Sequence, residues 1–264
     1  MSRALSLACA FILALPVAGL SQEGEGYEYG QLSQVSTWEV DPAEAAAFET
    51  AVKKVAEAAA MAKTPYRWAF WQNGSRYTLV FPVGSFGYFD DPMQFMRSFM
   101  GTEGEAKMQE AMASFEVLHI HTVAEEMAEM KADWSYEPEG YDMHSTKYGH
   151  FDVMWLKPGS EEKFDELNKE WVGFFKDLGY PYPYHAHEIH FGDSGRVVYV
   201  TFTDDLSAYY GENSLMKLIE AKGMGERWQK MDELFGGTVH RWEHYEETLR
   251  MDLSYWPMEE GATE

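Results

Sequence analysis

Five of the nine histidines cluster within the second half of the 264-residue chain over residues 144–190, at His144, His150, His185, His187 and His190. If residues 184–191 form a strand, His185 and His187 share one face of it, because alternate residues on a strand point the same way. His150 and Asp152 share a face in the same manner. Should the two faces coincide, three imidazoles and a carboxylate converge, a set able to bind zinc or iron or to act as an acid/base pair. The first half has Arg67 and Ala69 at the matching positions, so only the second copy would be equipped. A second constellation, His240-Arg-Trp-Glu243-His244, has the His-x-x-Glu-His spacing of one metalloprotease class. On a helix its histidines lie one turn apart. Its counterpart, His121-Thr-Val-Ala-Glu125, keeps only the first histidine. Aromatic side chains crowd the hairpin strands, with Tyr66, Trp68 and Trp71 in one half and Tyr184 in the other, and Trp155 on a further strand. Most such rings pack a core, while some can line an apolar cavity for a small ligand.

These residues need elements to hold them, and the chain carries its plan twice. Trp38 matches Trp155, Pro65-Tyr66 matches Pro183-Tyr184, and Asp90-Asp91 matches Asp204-Asp205. The closing Asp133-Trp-Ser135-Tyr136-Glu-Pro138 matches Asp252-Leu-Ser254-Tyr255-Trp-Pro257. Four matches in one order at a nearly constant offset indicate internal duplication. A strand opens each half, over 33–40 and 148–156. In the first half Asp41 is expected to cap a helix with Pro42 at its first position, and Phe48, Val52, Val55, Ala59 and Ala62 form its apolar stripe. In the second, Ser160 caps, Phe164, Leu167, Trp171, Phe174 and Leu178 form the stripe, and Gly179 ends it. Hairpins follow, over 66–83 with Asn73-Gly74 at the turn and over 184–202. Helical material then starts at the Asp-Asp pairs, and short last strands are expected over 131–136 and 250–255.

The order is βαββαβ, the ferredoxin-like arrangement, and the fold class is α+β. A helix-covered sheet leaves its other face bare, and the sibling unit is the expected cover, sheet packed to sheet. In this element order and duplication, residues 33–257 resemble the dimeric α+β barrel superfamily in its tandem-fused form. That superfamily includes cofactor-free monooxygenases, haem-degrading and haem peroxidase-like proteins, isomerases and small-ligand sensors. The resemblance implies a pocket for a small molecule, and it places His121 and His240 near a region where members of the family carry a haem ligand. Fold does not choose among these activities.

The N-terminus has Arg3, an apolar run from Ala4 to Leu15, then Pro16 and the small residues Ala18, Gly19 and Ser21. That pattern predicts a signal peptide over 1–21, cut between Gly19 and Gln22, and export to a periplasm or the exterior. The run is too short to span a bilayer. Cys9, the single cysteine, lies within it, so the mature chain can make no disulfide. The formal net charge of -23 repels nucleic acid and anionic lipid. The sequence offers no phosphate-cradling loop, no Gly-x-Ser-x-Gly elbow and no thiol nucleophile. The organisation expected is a loose segment over 22–32, a first unit over 33–138, a linker over 139–146, a second unit over 147–257 and a disordered tail over 258–264.

Function is expected to be small-molecule binding, with any catalysis oxygenase- or isomerase-like and carried by His185, His187, His150 and Asp152. The alternatives are a non-catalytic structural or interaction protein and, more weakly, a haem- or metal-binding protein using the histidine cluster. The sequence names no cofactor, no substrate and no assembly beyond the fused pair.

Overall fold

The computed structural model describes residues 32–91, 93–193 and 195–257. The signal peptide, the loose segment up to residue 31 and the tail expected from the sequence lie outside the described residues. Two units form the chain: one comprises the described residues up to Met127 together with those from Arg250 onward, the other Ala128–Leu249.

In the first unit the strands are β1 (Leu32–Val40), β2 (Ala69–Asn73) and β3 (Arg76–Val83), with helices α1 (Ala45–Ala62), α2 (Gln94–Arg97) and α3 (Glu105–Phe115). β3 pairs antiparallel with both β1 and β2, and Gly74, at φ +57°, makes the tight turn between β2 and β3. The α1 stripe packs as its spacing predicts, with Phe48, Val52, Val55 and Ala59 buried against Trp38, Phe70, Tyr77 and Leu79. Asp41 does not cap the helix directly. Its carboxylate accepts from Ala43 N at 2.9 Å, so a turn forms first and α1 starts at Ala45. β4 (Ile120–Met130) runs from this unit into the next.

The second unit has β5 (Tyr148–Leu156), α4 (Glu161–Leu178), β6 (Tyr184–Phe191), β7 (Arg196–Thr203), α5 (Leu206–Tyr210), α6 (Leu215–Lys222), α7 (Gly225–Thr238) and β8 (Val239–Leu249). β5 lies between β7 and β8, and β7 pairs with β6, all antiparallel. Phe164, Leu167, Phe174 and Leu178 of α4 fill this core, and Gly179 ends the helix at φ +63°. Ser160 stands at the start of α4, but its hydroxyl donates to the carbonyls of Lys157 and Thr238 and caps no helical N–H. Among the described residues no helix is long and apolar enough to cross a membrane.

Two sequence expectations change. The long last strands are β4 and β8, which precede 131–136 and 250–255. Those repeated closing segments instead make single bridges, and each does so in the unit that the other half of the sequence builds. Tyr255 pairs with Trp68, and Tyr136 pairs with Tyr184. The repeated serine explains the motif: Ser254 Oγ accepts from Phe70 N at 2.9 Å, and Ser135 Oγ accepts from Ala186 N at 3.0 Å. Each hydroxyl satisfies a strand N–H that would otherwise be buried without a partner. Domains cut at 33–138 and 147–257 would therefore each lack their closing piece.

Register also differs by one residue from the sequence matching. Trp38 sits opposite Tyr77 and packs beneath α1, whereas Trp155 points to the other sheet face, where Arg241 lies 4.1 Å above its ring. Met154, buried in the helix-side core of the second unit, holds the position of Trp38. A slip of one residue on a strand reverses the face of every side chain.

Candidate functional site

The strand registers decide which histidines can meet. His150 is opposite Thr201, Asp152 is opposite Tyr199, and on the same face Thr201 and Tyr199 are opposite Tyr184 and Ala186. Ala186, Tyr184 and Tyr199 belong to the core under α4. His150 and Asp152 thus lie on the helix side of the sheet. His185 and His187, opposite Val200 and Val198, lie on the other side. The convergence of three imidazoles and a carboxylate does not form. The sheet separates the expected catalytic residues into two pairs with different surroundings.

His185 and His187 sit 6.4 Å apart, ring to ring. His185 Nε2 meets Glu137 at 2.9 Å, yet burial outweighs that contact and holds its pKa below the ordinary imidazole value. Burial, aided by His185, pushes His187 down to about 3. Both are neutral imidazoles at physiological pH.

His150 is the opposite case. Burial alone would lower its pKa, but the hydrogen bonds and charges of Asp152 and Glu246 overcome that effect and raise it. Its Nδ1 lies 3.3 Å from Glu246 Oε1 and 3.0 Å from the Tyr210 hydroxyl, and its Nε2 lies 3.4 Å from Asp152 Oδ2. Tyr210 also donates to Glu246 Oε1. That hydrogen bond is the first cause holding the Glu246 carboxyl below its usual range. Burial, then Glu246, raises the Tyr210 phenol. Trp242 Nε1 donates to Asp152 Oδ1 at 2.8 Å. Four elements position the group: β5 supplies His150 and Asp152, β8 supplies Trp242, His244 and Glu246, α5 ends in Tyr209 and Tyr210, and α7 brings Phe235 to 6.0 Å from Trp242. β8 registers Glu246 against His150 and His244 against Asp152, so all of these residues share one face.

Chemically this is an imidazole between two carboxylates that favour its protonated form, with a phenol at its edge, a chain along which a proton can move. It is also open. Trp242 and Tyr210 are 52% and 53% exposed, large values for aromatic rings anchored by hydrogen bonds. Tyr209, with its ring 5.5 Å from that of His150, closes the inner end.

The other expected site residues lie elsewhere. Tyr66 and Trp68 are core: Tyr66 stacks on Phe81 at 5.7 Å, and Trp68 Nε1 donates to Leu253 O at 3.0 Å. A void of about 10 Å³ lined by Trp38, Phe48, Trp68 and Phe70 is barely a water in size. Trp71 is buried on the opposite face of β2. Tyr184 packs on Phe175 and Tyr199 in the second core. Trp155 donates to Asp193 at 2.6 Å on the surface. His121 and His240 are exposed residues on β4 and β8, not on a second helix, so nothing in their setting fits an axial ligand. The His-x-x-Glu-His run is likewise on a strand. There Glu243, the intended base, turns to the face away from His244 and pairs with Arg241 at 2.5 Å, while His240 falls at a bulge where the β5–β8 register shifts.

Sequence reasoning missed Glu246, Tyr210 and Trp242. The signal was there in the alternation of Trp242, His244 and Glu246, which has meaning only once 239–249 is read as a strand. Outside the strip, a surface cleft of about 440 Å³ is lined by Tyr136, Pro138, Tyr141 and Tyr180. Glu129, Glu188 and His190 bring ligand atoms within 4.8 Å of one another, but Lys131 Nζ already stands 3.5 and 3.4 Å from the two carboxylates and serves as their cation.

No family model matches the chain, and no curated protein matches it. Solved structures do. A candidate monooxygenase from Lactobacillus acidophilus NCFM superposes with a TM-score of 0.50 at 9% identity, covering 85% of this chain and 95% of that one. Another from Fusobacterium nucleatum subsp. nucleatum ATCC 25586 gives 0.52 at 9% identity, covering 83% and 91%. The likeness is one of fold: the chain is α+β and built of tandem ferredoxin-like units.

Proposed function

We propose that this is a small-molecule-binding α+β barrel protein whose second unit carries an acid/base site centred on His150. The observation that carries the reading is the His150 imidazole held between Asp152 and Glu246, with the Tyr210 hydroxyl 3.0 Å from Nδ1. A titratable group with a displaced pKa, beside half-exposed aromatic rings, is the physical signature of a reacting centre more often than of a packed core. The chemistry such a group supports is proton transfer to and from an organic substrate, as an isomerase or a cofactor-independent oxygenase requires. Both fold neighbours named above are described as candidate monooxygenases, which favours the same broad class without choosing within it.

The test is a nitrogen-15 histidine NMR titration of the purified protein with a library of neutral aromatic fragments. Binding fragments are expected to shift the His150 and His244 resonances and to leave His185 and His187 in place. A library that moves none of them, or that moves only the latter pair, overturns the reading. Export belongs to the same proposal and rests on the Arg3–Leu15 pattern. N-terminal sequencing of protein recovered outside the cytoplasm is expected to start between residues 20 and 22, and an intact Met1 there would refute it.

A further inference from the structure

His244 differs from every other histidine near the site in having no assigned task. Its ring lies 5.7 Å from His150 and 5.4 Å from Trp242, yet among the described residues no group hydrogen-bonds either of its nitrogens. It is exposed, on the helix-side face of β8, next to the His150 cluster. His150 is engaged on both ring nitrogens, by Asp152 at Nε2 and by Glu246 and Tyr210 at Nδ1, so neither is open to a substrate. Two imidazoles side by side therefore stand in unlike settings, one engaged on both ring nitrogens and one with neither nitrogen hydrogen-bonded.

We propose that His244 is the general base and Tyr210 the acid of a proton-shift reaction on a neutral, aromatic, enolisable carbonyl compound lying against Trp242. This rests on the reading of the strip as a ligand site. His244 removes a proton from the carbon next to the carbonyl, and that C–H electron pair becomes a C=C bond. The carbonyl π pair moves to oxygen, which takes the Tyr210 hydroxyl proton. The His150 imidazolium, 3.0 Å away, restores the proton to Tyr210. When His244 returns its proton to a different carbon of the dienol, the O–H proton passes back to Tyr210 and a proton from Tyr210 to His150, which regenerates the carbonyl and all three groups and completes the isomerisation. No electron leaves or enters, so no oxidant is needed.

Three observations set the substrate class. Half-exposed Trp242 and Tyr210 form aromatic walls that would stack on a planar ring. Asp152 and Glu246 against one imidazolium leave the site net negative, and the whole chain is at -23, which repels carboxylate and phosphate substrates. A carbonyl oxygen is the acceptor that Tyr210, a phenol held protonated, can serve.

The experiment uses benzoylacetone, a neutral aryl diketone, with the full mature chain in D2O. Deuterium uptake at the activated carbon is followed by proton NMR, and binding is followed separately by quenching of tryptophan fluorescence. The wild-type protein is expected to accelerate exchange above buffer. His244→Gln should lower the rate at saturation about 100-fold with binding unchanged, the range expected for loss of a general base. Trp242→Leu should weaken binding and leave the saturated rate within about threefold. Both side chains are exposed, and an unchanged melting temperature shows that each variant is folded. Exchange at the wild-type rate in His244→Gln overturns the inference, and if His150→Gln is slow in the same assay the broader acid/base reading survives. Binding without any acceleration by the wild-type protein also overturns it. Failure to bind at all, together with fragments that never move His150, removes both.

Discussion

The two units answer the same structural question with different chemistry. On the helix-side face of β1, Gln34 lies opposite Phe81 and Ser36 opposite Leu79, and both side chains donate to Glu125, at 3.4 and 2.6 Å. At the matching places on β5 stand His150 and Asp152, and the neighbouring strand supplies Glu246. On β1 an amide and a hydroxyl both donate to one carboxylate. An imidazole between two carboxylates keeps a mobile proton. The packing around them differs in the same direction: the first unit fills the space with interlocking rings of Tyr66, Phe81, Tyr88 and Phe95, while the second leaves Trp242 and Tyr210 half in solvent. The two units share one frame, and corresponding positions on β1 and β5 carry different side-chain chemistry.

The comparison breaks most visibly if the first unit is not simply packing. Trp68→Ala removes a ring that is 1% exposed and its hydrogen bond to Leu253. Calorimetry should show a loss of about 4 kcal/mol in stability, the range for a buried aromatic truncation. Fragment binding in the second unit should be unaffected, and a loss of binding would tie the two regions together. Next in size is Arg250→Met. Arg250 grips both oxygens of Glu49 at 2.6 and 2.7 Å, and its Nε reaches Asp252 at 2.9 Å. Denaturant unfolding should record a loss of roughly 2 kcal/mol, reduced from fully buried cases because both partners retain solvent contact.

Smaller again, and sharper, is the pH dependence. Folding raises the His150 pKa, so its contribution is fully present below the unfolded value near 6.5 and is lost as pH rises through the folded value. His187 runs the other way: its folded value is lowered to about 3, so the unfolded chain binds the proton more readily and stability falls as pH drops from 6.5. In stability measured against pH, His187→Gln should lift the acid side and His150→Gln should flatten the slope above 6.5. Both variants changing in the same direction would contradict the placement of the two pairs on opposite faces. Tyr210→Phe is expected to cost about 1 kcal/mol, the usual value of one hydrogen bond. Last, His240→Ala should leave stability within about 0.5 kcal/mol, as for an exposed side chain away from any cluster, and a large effect would revive a ligand role for it.

The architecture was legible in the sequence because its signals are local. The stripes of α1 and α4, the Gly74 turn and Gly179 each depend on a few neighbouring residues. The site was not, because it depends on parity across strands. His150 and His185 could be called same-faced only with the β5, β6 and β7 registers in hand, and those registers set them apart. The His240–His244 spacing was ambiguous for a geometric reason: residues four apart lie on one side of a helix and also on one side of a strand. Pairing β8 with β5 removes that ambiguity and brings Glu246 and His244 beside His150 and Asp152. Tyr210 could not be found at all from spacing, since it reaches the site only through the end of α5.

The bridge between Trp68 and Tyr255 joins positions far apart in the chain. During synthesis, therefore, β1, β2 and α1 emerge well before Ser254 and Tyr255, which complete the edge of β2. A closing contact between positions so far apart in sequence carries a large loop-closure cost and slows completion of the first unit, while the second unit needs no residue beyond Leu249.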